Sequence, residues 1–328
     1  MMTSLDNING KTVVVTGASG YIGSILVDEL VKHSCKVIRI SRMDLAPLAD
    51  TITIKADVRT PRTWAEIVAQ ADIIYHLAGN TSVYEAAKNP AESLNSTLLP
   101  LNHLIKEAQA RQCKPRVVFA STATVYGLTP QRPVAESVEP MPITVYDLHK
   151  MFAERQLTLA TQQGVLDSVS LRLANVYGPS SSVSSADDRG ILNKVTAVAL
   201  RGRNLTVYGD GKYLRDYIYI TDVINAFLLA GATPNLGEQT FNVASGTGTT
   251  VKQAFEMVAT QAGISVGRHV ETNCVEWPTG VASIEFREFT ADIKKYTNAT
   301  GWKPLISLRE GIALLVTEFT KRGYKHDE

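Results

Sequence analysis

Cysteine is scarce in this chain: Cys35, Cys113 and Cys274 are three, an odd number, and lie far apart among 328 residues. That spacing argues against a disulfide framework and a clustered thiolate metal site, and leaves buried or incidental thiols. The six histidines are scattered as well, so no metal site is expected. No apolar run approaches the roughly 18 residues needed to cross a bilayer, and the stretch from Met1 to Lys11 is polar, without the apolar region of a signal peptide. The expectation is a cytoplasmic protein with no membrane partner. Charge of one sign is not in excess either. With 33 Lys and Arg against 32 Asp and Glu, the net charge of +1 gives no electrostatic reason to expect a nucleic-acid partner.

What is present is an ordinary globular composition, 45% hydrophobic and 20% charged, in a chain long enough to bury a substantial core. Short β-branched runs at 12–16, 36–40, 52–54, 72–77, 116–121 and 168–173 alternate with helical patterns at about 20–32, 93–111 and 145–163. That is βαβ order, and it predicts an α/β fold built on a doubly wound parallel sheet. After about Val176 the texture changes to serine- and glycine-rich loops, including 180–185 and 208–211, with shorter elements between them. The serine tract reads as a mobile loop over a site, since ligand recognition concentrates in loops.

The segment Thr16-Gly17-Ala18-Ser19-Gly20-Tyr21-Ile22-Gly23 follows the first strand and opens the first helix. In that position Gly17 permits a sharp turn, Gly20 lets the backbone approach a pyrophosphate, and Gly23 lets the helix pack closely on the sheet. The helix N-terminus supplies N–H groups to phosphates. These are the marks of a dinucleotide-binding (Rossmann) fold. The expected division is such a domain over 1–175 plus about 222–245, with a smaller α/β lobe from about 176–221 and 246–328. A site selective for NAD usually ends its second strand in an acid that holds the ribose 2′-hydroxyl. Here the strand runs into Ser41-Arg42. An arginine there can pair with a 2′-phosphate, which favours NADP(H) and leaves NAD possible. Asp57 and Val58 are expected beside the adenine, and Leu77, Ala78 and Gly79 on the path to the nicotinamide.

Hydride chemistry at a carbinol needs a group to take the hydroxyl proton. A tyrosine serves when a lysine one helical turn later favours its phenolate. The chain contains that spacing three times, at Tyr84/Lys88, Tyr146/Lys150 and Tyr208/Lys212. Gly209 and Gly211 make the last a turn, and the first is read as a polar loop. Tyr146 opens a helix and follows the hydroxyl-rich strand end Ser121-Thr122-Ala123-Thr124. The assignment is Tyr146 as acid/base, Lys150 as its pKa modulator and ribose contact, and Thr122, with Ser121 second, as hydroxyl partner of the reacting oxygen.

Together these segments resemble the extended short-chain dehydrogenase/reductases, in the branch of nucleotide-sugar epimerases, dehydratases and reductases. Thr16–Gly23 is similar to TGxxGxxG, Tyr75-His76-Leu77-Ala78 to the fourth-strand signature, and Tyr146 with Lys150 to YxxxK. Downstream, Arg172-Leu173-Ala174-Asn175-Val176-Tyr177-Gly178-Pro179 resembles RxxNVYGP. Val207-Tyr208-Gly209-Asp210-Gly211 with Arg215-Asp216-Tyr217 resembles YGDGxxxRDY, and Gly301-Trp302-Lys303-Pro304 resembles GWxP. The resemblance implies a nucleotide-sugar substrate, with Asn175, Arg215 and Arg287 facing the diphosphate and Val207 close to the base. It also implies a homodimer paired through the helices near 93–111 and 145–163. Trp302 is read as core, and His76 and His149 as lacking any ligand set.

Dehydratases of this branch resemble one another in an Asp-Glu pair just after the active hydroxyl, whereas this chain has Ala123-Thr124. A 4,6-dehydratase is therefore disfavoured. The stretch Ser121–Gly127 looks most like that of sugar 4-epimerases, while Ser41-Arg42 suits an NADPH-dependent reductase of a keto-sugar, and both readings use the same tyrosine, lysine and threonine. A non-catalytic nucleotide sensor is the remaining alternative, argued against by the intact Tyr146 and Lys150.

Overall fold

The structure is a computed structural model that describes residues 4–180, 190–236 and 239–323. From residue 181 onward the serine tract expected over the site lies outside the described residues. The first half forms β1 (Thr12–Thr16), α1 (Tyr21–Leu30), β2 (Lys36–Ser41), β3 (Thr51–Lys55), α2 (Pro61–Val68), β4 (Ile73–His76), α3 (Val83–Lys88), α4 (Pro90–Thr97), α5 (Leu99–Arg111), β5 (Arg116–Thr122), α6 (Val145–Gln162) and β6 (Asp167–Leu173). The second half adds β7 (Asn175–Tyr177), α7 (Ile191–Leu200), β8 (Leu205–Tyr208), β9 (Leu214–Tyr219), α8 (Ile220–Ala232), β10 (Gln239–Val243), β11 (Gly248–Thr250), α9 (Val251–Val266), β12 (Thr272–Val275), α10 (Lys294–Thr300) and α11 (Leu308–Lys321).

Among the described residues, seven strands form one parallel sheet in the order β3-β2-β1-β4-β5-β6-β10. The inner strands are buried on both faces, which is why they read as continuous β-branched runs. Alternation sends Val13 and Val15 to a core layer shared with Leu26 of α1 and Phe227 of α8. It sends Val14 to the opposite layer, with Trp64 of α2, Leu104 of α5 and Leu157 of α6. Strand order reverses beside β1, where β2 lies on one side and β4 on the other. The crevice beyond the carboxyl ends of β1 and β4 is thus the topological switch point at which such sheets bind ligands.

Two smaller sheets, β11-β9-β7 and β12-β8, come from the second half. Trp302 is buried, as expected of a core residue, and its Nε1 donates to the Asp222 carbonyl at 3.0 Å. Two local expectations need correction. The helix expected over 93–111 is two helices, because Pro100 stands in the first turn of α5, where it has no N–H to give to the preceding helix. Tyr84 and Lys88 lie in helix α3 rather than in a loop, since the Ser82 side chain caps it by accepting from the Glu85 amide.

Candidate active site

The cofactor end is assembled around Gly17, whose φ of +70° lies in the left-handed region. A Cβ on Gly17 would stand 2.8 Å from the Ala78 amide, and one on Gly23 would overlap the Gly17 carbonyl. The turn after β1 therefore lies directly against the segment after β4, and only glycine permits it. Thr16 Oγ1 fixes that segment, accepting from the Leu77 and Ala78 amides at 3.2 Å each. It also shares a hydrogen bond of 2.8 Å with His76 Nδ1. Burial and nearby Lys150 hold His76 neutral, with its pKa down to about 3. Gly20 is the N-cap of α1 and supplies no side-chain cap, so the first-turn amides at Tyr21, Ile22 and Gly23 have no intrahelical acceptor. That cradle, closed to any Cβ and lined by amides, fits a pyrophosphate.

The side chains of this motif have other duties. Tyr21 is buried, and its hydroxyl donates to the Gly178 carbonyl at 2.8 Å, so only its backbone is left to the cradle. Ile22 packs against the core. Ser41 donates to Ser19 Oγ at 3.1 Å and accepts from the Met43 amide, tying the glycine turn to the end of β2. Arg42, next in sequence, is exposed and acts electrostatically on Asp57. The Asp57 carboxylate is gripped by Arg59 through contacts of 2.6 to 3.0 Å, which hold its pKa below the usual range. The Val58 carbonyl accepts from Trp64 Nε1 at 2.6 Å.

Helix α6 presents Tyr146 and Lys150 on one face, with the lysine ammonium 5.9 Å from the tyrosine ring centre. Lys150 Nζ donates to the Ala120 carbonyl at 2.8 Å and lies 4.7 Å from the centre of the Phe119 ring. Burial lowers its pKa to about 8, against the opposing charge of Glu154. Gly79 brings the segment after β4 to the same place, since a Cβ there would lie 3.9 Å from Lys150 Nζ. The other two tyrosine–lysine spacings form no such pair. Tyr84 donates to Glu285 at 2.6 Å while Lys88 pairs with Glu85, and Lys212 pairs with Asp210.

At the end of β5 the two hydroxyl candidates part. Ser121 Oγ donates to buried Glu154 at 2.5 Å, and Glu154 also holds Arg172 at 2.7 Å. Ser121 is therefore engaged in a structural cluster. Thr122 Oγ1 instead lies 2.8 Å from Thr124 Oγ1, and Thr124 lines a cavity of about 1070 Å³. Reading the sequence missed Thr124 as a site residue. It also missed Asp147, fully buried beside Tyr146, whose carboxylate accepts from Thr124 and from Thr144. The available signal was Thr144 standing three residues before an acid at the start of a helix.

Asn175, Val207, Arg215 and Arg287 all line that cavity. Arg215 donates to the carbonyls of Leu214, Glu285 and Arg287, so much of its guanidinium fastens backbone. Arg287 is different: it is buried, and its Nε and Nη1 have no partner among the described residues. Burial and the neighbouring charge of Arg215 bring its pKa down to about 10. A buried cation with unused donors suits an anion. Asn175 Nδ2 donates to the Asp216 carbonyl at 3.0 Å. Tyr208, Tyr213 and Trp277 line the cavity along with Val207; Tyr208 and Trp277 are stacked at 5.5 Å, and Tyr213 is edge-on to Trp277. Flat, apolar surfaces of this kind match a nucleobase.

Fold and site thus define a doubly wound α/β protein with a dinucleotide cradle, a tyrosine–lysine pair and a cation-lined cavity. The chain belongs to the NAD dependent epimerase/dehydratase family, whose sequence profile matches residues 13–244, and so to the extended short-chain dehydrogenase/reductases. It is 29% identical to a UDP-glucose 4-epimerase of Mycolicibacterium smegmatis, over 94% of this chain and 99% of the other. It is also 29% identical to UDP-glucuronic acid decarboxylase 2 of Arabidopsis thaliana, over 96% of this chain and 69% of that protein. Among solved structures, the UDP-glucose 4-epimerase of Thermotoga maritima with UDP-glucose superposes with a TM-score of 0.84 at 28% identity, covering 95% and 99% of the two chains. The Thermus thermophilus UDP-glucose 4-epimerase in complex with NAD gives 0.80 at 27%, covering 94% and 99%. Among the described residues no helix is long and apolar enough to cross a membrane, and no group of three or more potential ligands could hold a metal ion.

Proposed function

We propose that the chain is a nicotinamide-dependent 4-epimerase of a nucleoside-diphosphate hexose. The observation that carries the reading is the pair of unused donors on buried Arg287, in a cavity that also reaches Thr124, one hydrogen bond from Thr122. A diphosphate on Arg287, steadied by Asn175 and Arg215, would direct the attached sugar toward Thr122 and Tyr146. Tyr146 takes the proton of the C4 hydroxyl and returns it after the sugar has turned over, while Lys150 favours the phenolate and contacts the ribose. When bound, the nicotinamide accepts and returns hydride. Gly17 to Gly23, Leu77, Ala78 and Gly79 would hold it, with Asp57 and Val58 at the adenine. Uridine is the base supported by the substrates named for the relatives, with Val207 and the aromatic rings beside it. Ser41-Arg42 supports NADP(H), whereas the Thermus relative carries NAD.

The second reading, an NADPH-dependent reductase of a 4-keto sugar, draws on the same exposed Arg42. Elimination of water is disfavoured because Ala123-Thr124 stands where an Asp-Glu pair would supply acid and base, and proton removal beside a ketone needs a positioned base. The reading includes a cytoplasmic homodimer paired through α4, α5 and α6. The test is to purify the protein, identify any retained cofactor, and incubate it with a panel of nucleotide sugars with and without NADPH. Turnover on retained cofactor alone supports the epimerase, and stoichiometric NADPH consumption overturns it in favour of the reductase.

A further inference from the structure

Asp147 follows the tyrosine of the Tyr146/Lys150 pair, yet its carboxylate is out of contact with water. Thr144 Oγ1 donates to Oδ2 at 2.7 Å, and Thr124 Oγ1 donates to Oδ1. Thr124 Oγ1 also lies 2.8 Å from Thr122 Oγ1, and the Thr124 amide donates to Thr122 Oγ1 at 3.2 Å. A threonine hydroxyl carries one hydrogen. Because Thr124 directs its hydrogen to Asp147, Thr122 must donate in the Thr122–Thr124 contact. What Thr122 has left to offer a ligand is a lone pair.

We infer that Asp147 is a positioning residue: it polarises the chain of hydroxyls from Thr122 through Thr124 toward itself, and so makes Thr122 an acceptor for a sugar hydroxyl rather than a donor to a sugar ketone. The inference rests on the proposed place of Thr122 beside the reacting carbinol and deepens it: Tyr146 takes the single hydrogen of the C4 hydroxyl, and Thr122 accepts from a neighbouring sugar hydroxyl. A site poised in this way prefers the hydroxy sugar as its resting ligand, which suits the interconversion of two hydroxy sugars better than the capture of a keto-sugar for reduction. Burial raises the pKa of Asp147 above the ordinary carboxylate value, opposed by the hydrogen bonds from Thr124 and Thr144 and by the charge of Arg287, which favour the carboxylate. The Thr144 hydroxyl, which also caps α6, keeps the carboxylate oriented when the cavity is filled.

The test is calorimetric binding of UDP-glucose and of UDP-4-keto-6-deoxyglucose to the cofactor-loaded enzyme and its variants. Thr124→Val keeps the shape but removes the acceptor for the Thr122 hydrogen, which then turns outward. Its ratio of keto to hydroxy affinity should rise by about tenfold, the effect of one hydrogen bond gained or lost. Thr124→Ser should restore the parental ratio, and Asp147→Asn added to Thr124→Val should move it no further, because Asp147 acts through Thr124. An unchanged ratio in Thr124→Val overturns the inference, as does a further shift in the double variant. Thr122→Val separates this from the functional reading: if that variant turns over substrate like its parent, the role of Thr122 at the carbinol fails. Absence of UDP-glucose binding by the parent counts against the proposed function itself.

Discussion

Arg215 donates to the backbone carbonyl of Arg287, while the Nε and Nη1 of Arg287 itself find no partner among the described residues. Two buried arginines side by side therefore do opposite work. One fastens the segment that carries the other, and the other, with two unused donors, is the proposed anion contact. Substituting them should separate stability from binding. Arg287→Met removes a buried, under-used cation, so its melting temperature should equal or exceed that of the parent, while its affinity for UDP falls by about ten- to a hundredfold, the worth of one or two charge-assisted hydrogen bonds. Arg215→Met leaves three carbonyls without their donor and should lose about 2 kcal/mol or more of stability in urea unfolding. Equal loss of stability in both variants would show that Arg287 is held by contacts of its own.

Lys150 gives a prediction in pH. Its pKa in the folded protein is about 8, below the ordinary lysine value of 10.5, because burial disfavours the ammonium. Between those two values the unfolded chain binds more protons than the folded one, so the linkage makes stability rise with pH across that window. Lys150→Met removes the buried charge. The stability of the parent relative to this variant should be lowest below pH 8 and improve by up to about 3 kcal/mol as pH climbs toward 10.5, the shift converted at 1.36 kcal/mol per unit. Chemical denaturation of the cofactor-free protein at several pH values measures it, and a difference that does not vary with pH would mean that the ammonium is better solvated than its surroundings indicate.

The extent to which the sequence foretold this arrangement follows from the range of each interaction. Strands β1, β2, β4 and β5 were legible because a parallel strand buried on both faces must be apolar and β-branched along its length. The glycine turn was legible because its three glycines answer steric demands only a few residues apart. The six-residue helix α3 was not, since so short an element shows no periodicity and depends on the Ser82 cap. The link between Thr124 and Asp147 joins a strand end to a helix 23 residues away, and the contact of Arg215 with Arg287 spans 72 residues. In those cases the sequence displays residue types, and the fold alone brings them together.

Three tyrosines stand four residues before a lysine, and the structure gives them different surroundings. Tyr146 shares a helix face with buried Lys150, whereas Tyr84 joins Glu285 at the rim of the cavity, where partial burial and then the Glu285 carboxylate push its pKa up to about 12. Tyr146→Phe should lower kcat by about 10²–10⁴, the usual contribution of a positioned acid/base group. Tyr84→Phe releases the rim and should act on KM rather than on kcat. Steady-state kinetics on the best substrate of the panel distinguishes the two, and a kcat preserved in Tyr146→Phe removes that tyrosine from the chemistry.

The proposed preference for NADP(H) rests on Arg42. Asp57, the carboxylate on which its charge acts, is already gripped by Arg59, so it offers less repulsion to a 2′-phosphate than a free acid would. Arg42 is exposed at the end of β2, the position from which a side chain reaches the adenosine ribose in this fold. Arg42→Ala should therefore weaken NADP(H) by about tenfold, one partly screened charge-assisted contact, and leave NAD(H) nearly unchanged. Replacing Ser41 by Asp should invert the preference, because an acid at the strand end accepts from the 2′-hydroxyl and repels a phosphate. Fluorescence titration of the two reduced cofactors reads both variants. Equal losses for NADP(H) and NAD(H) in Arg42→Ala would assign that side chain to a general attraction for the pyrophosphate, and the preference would then revert to NAD.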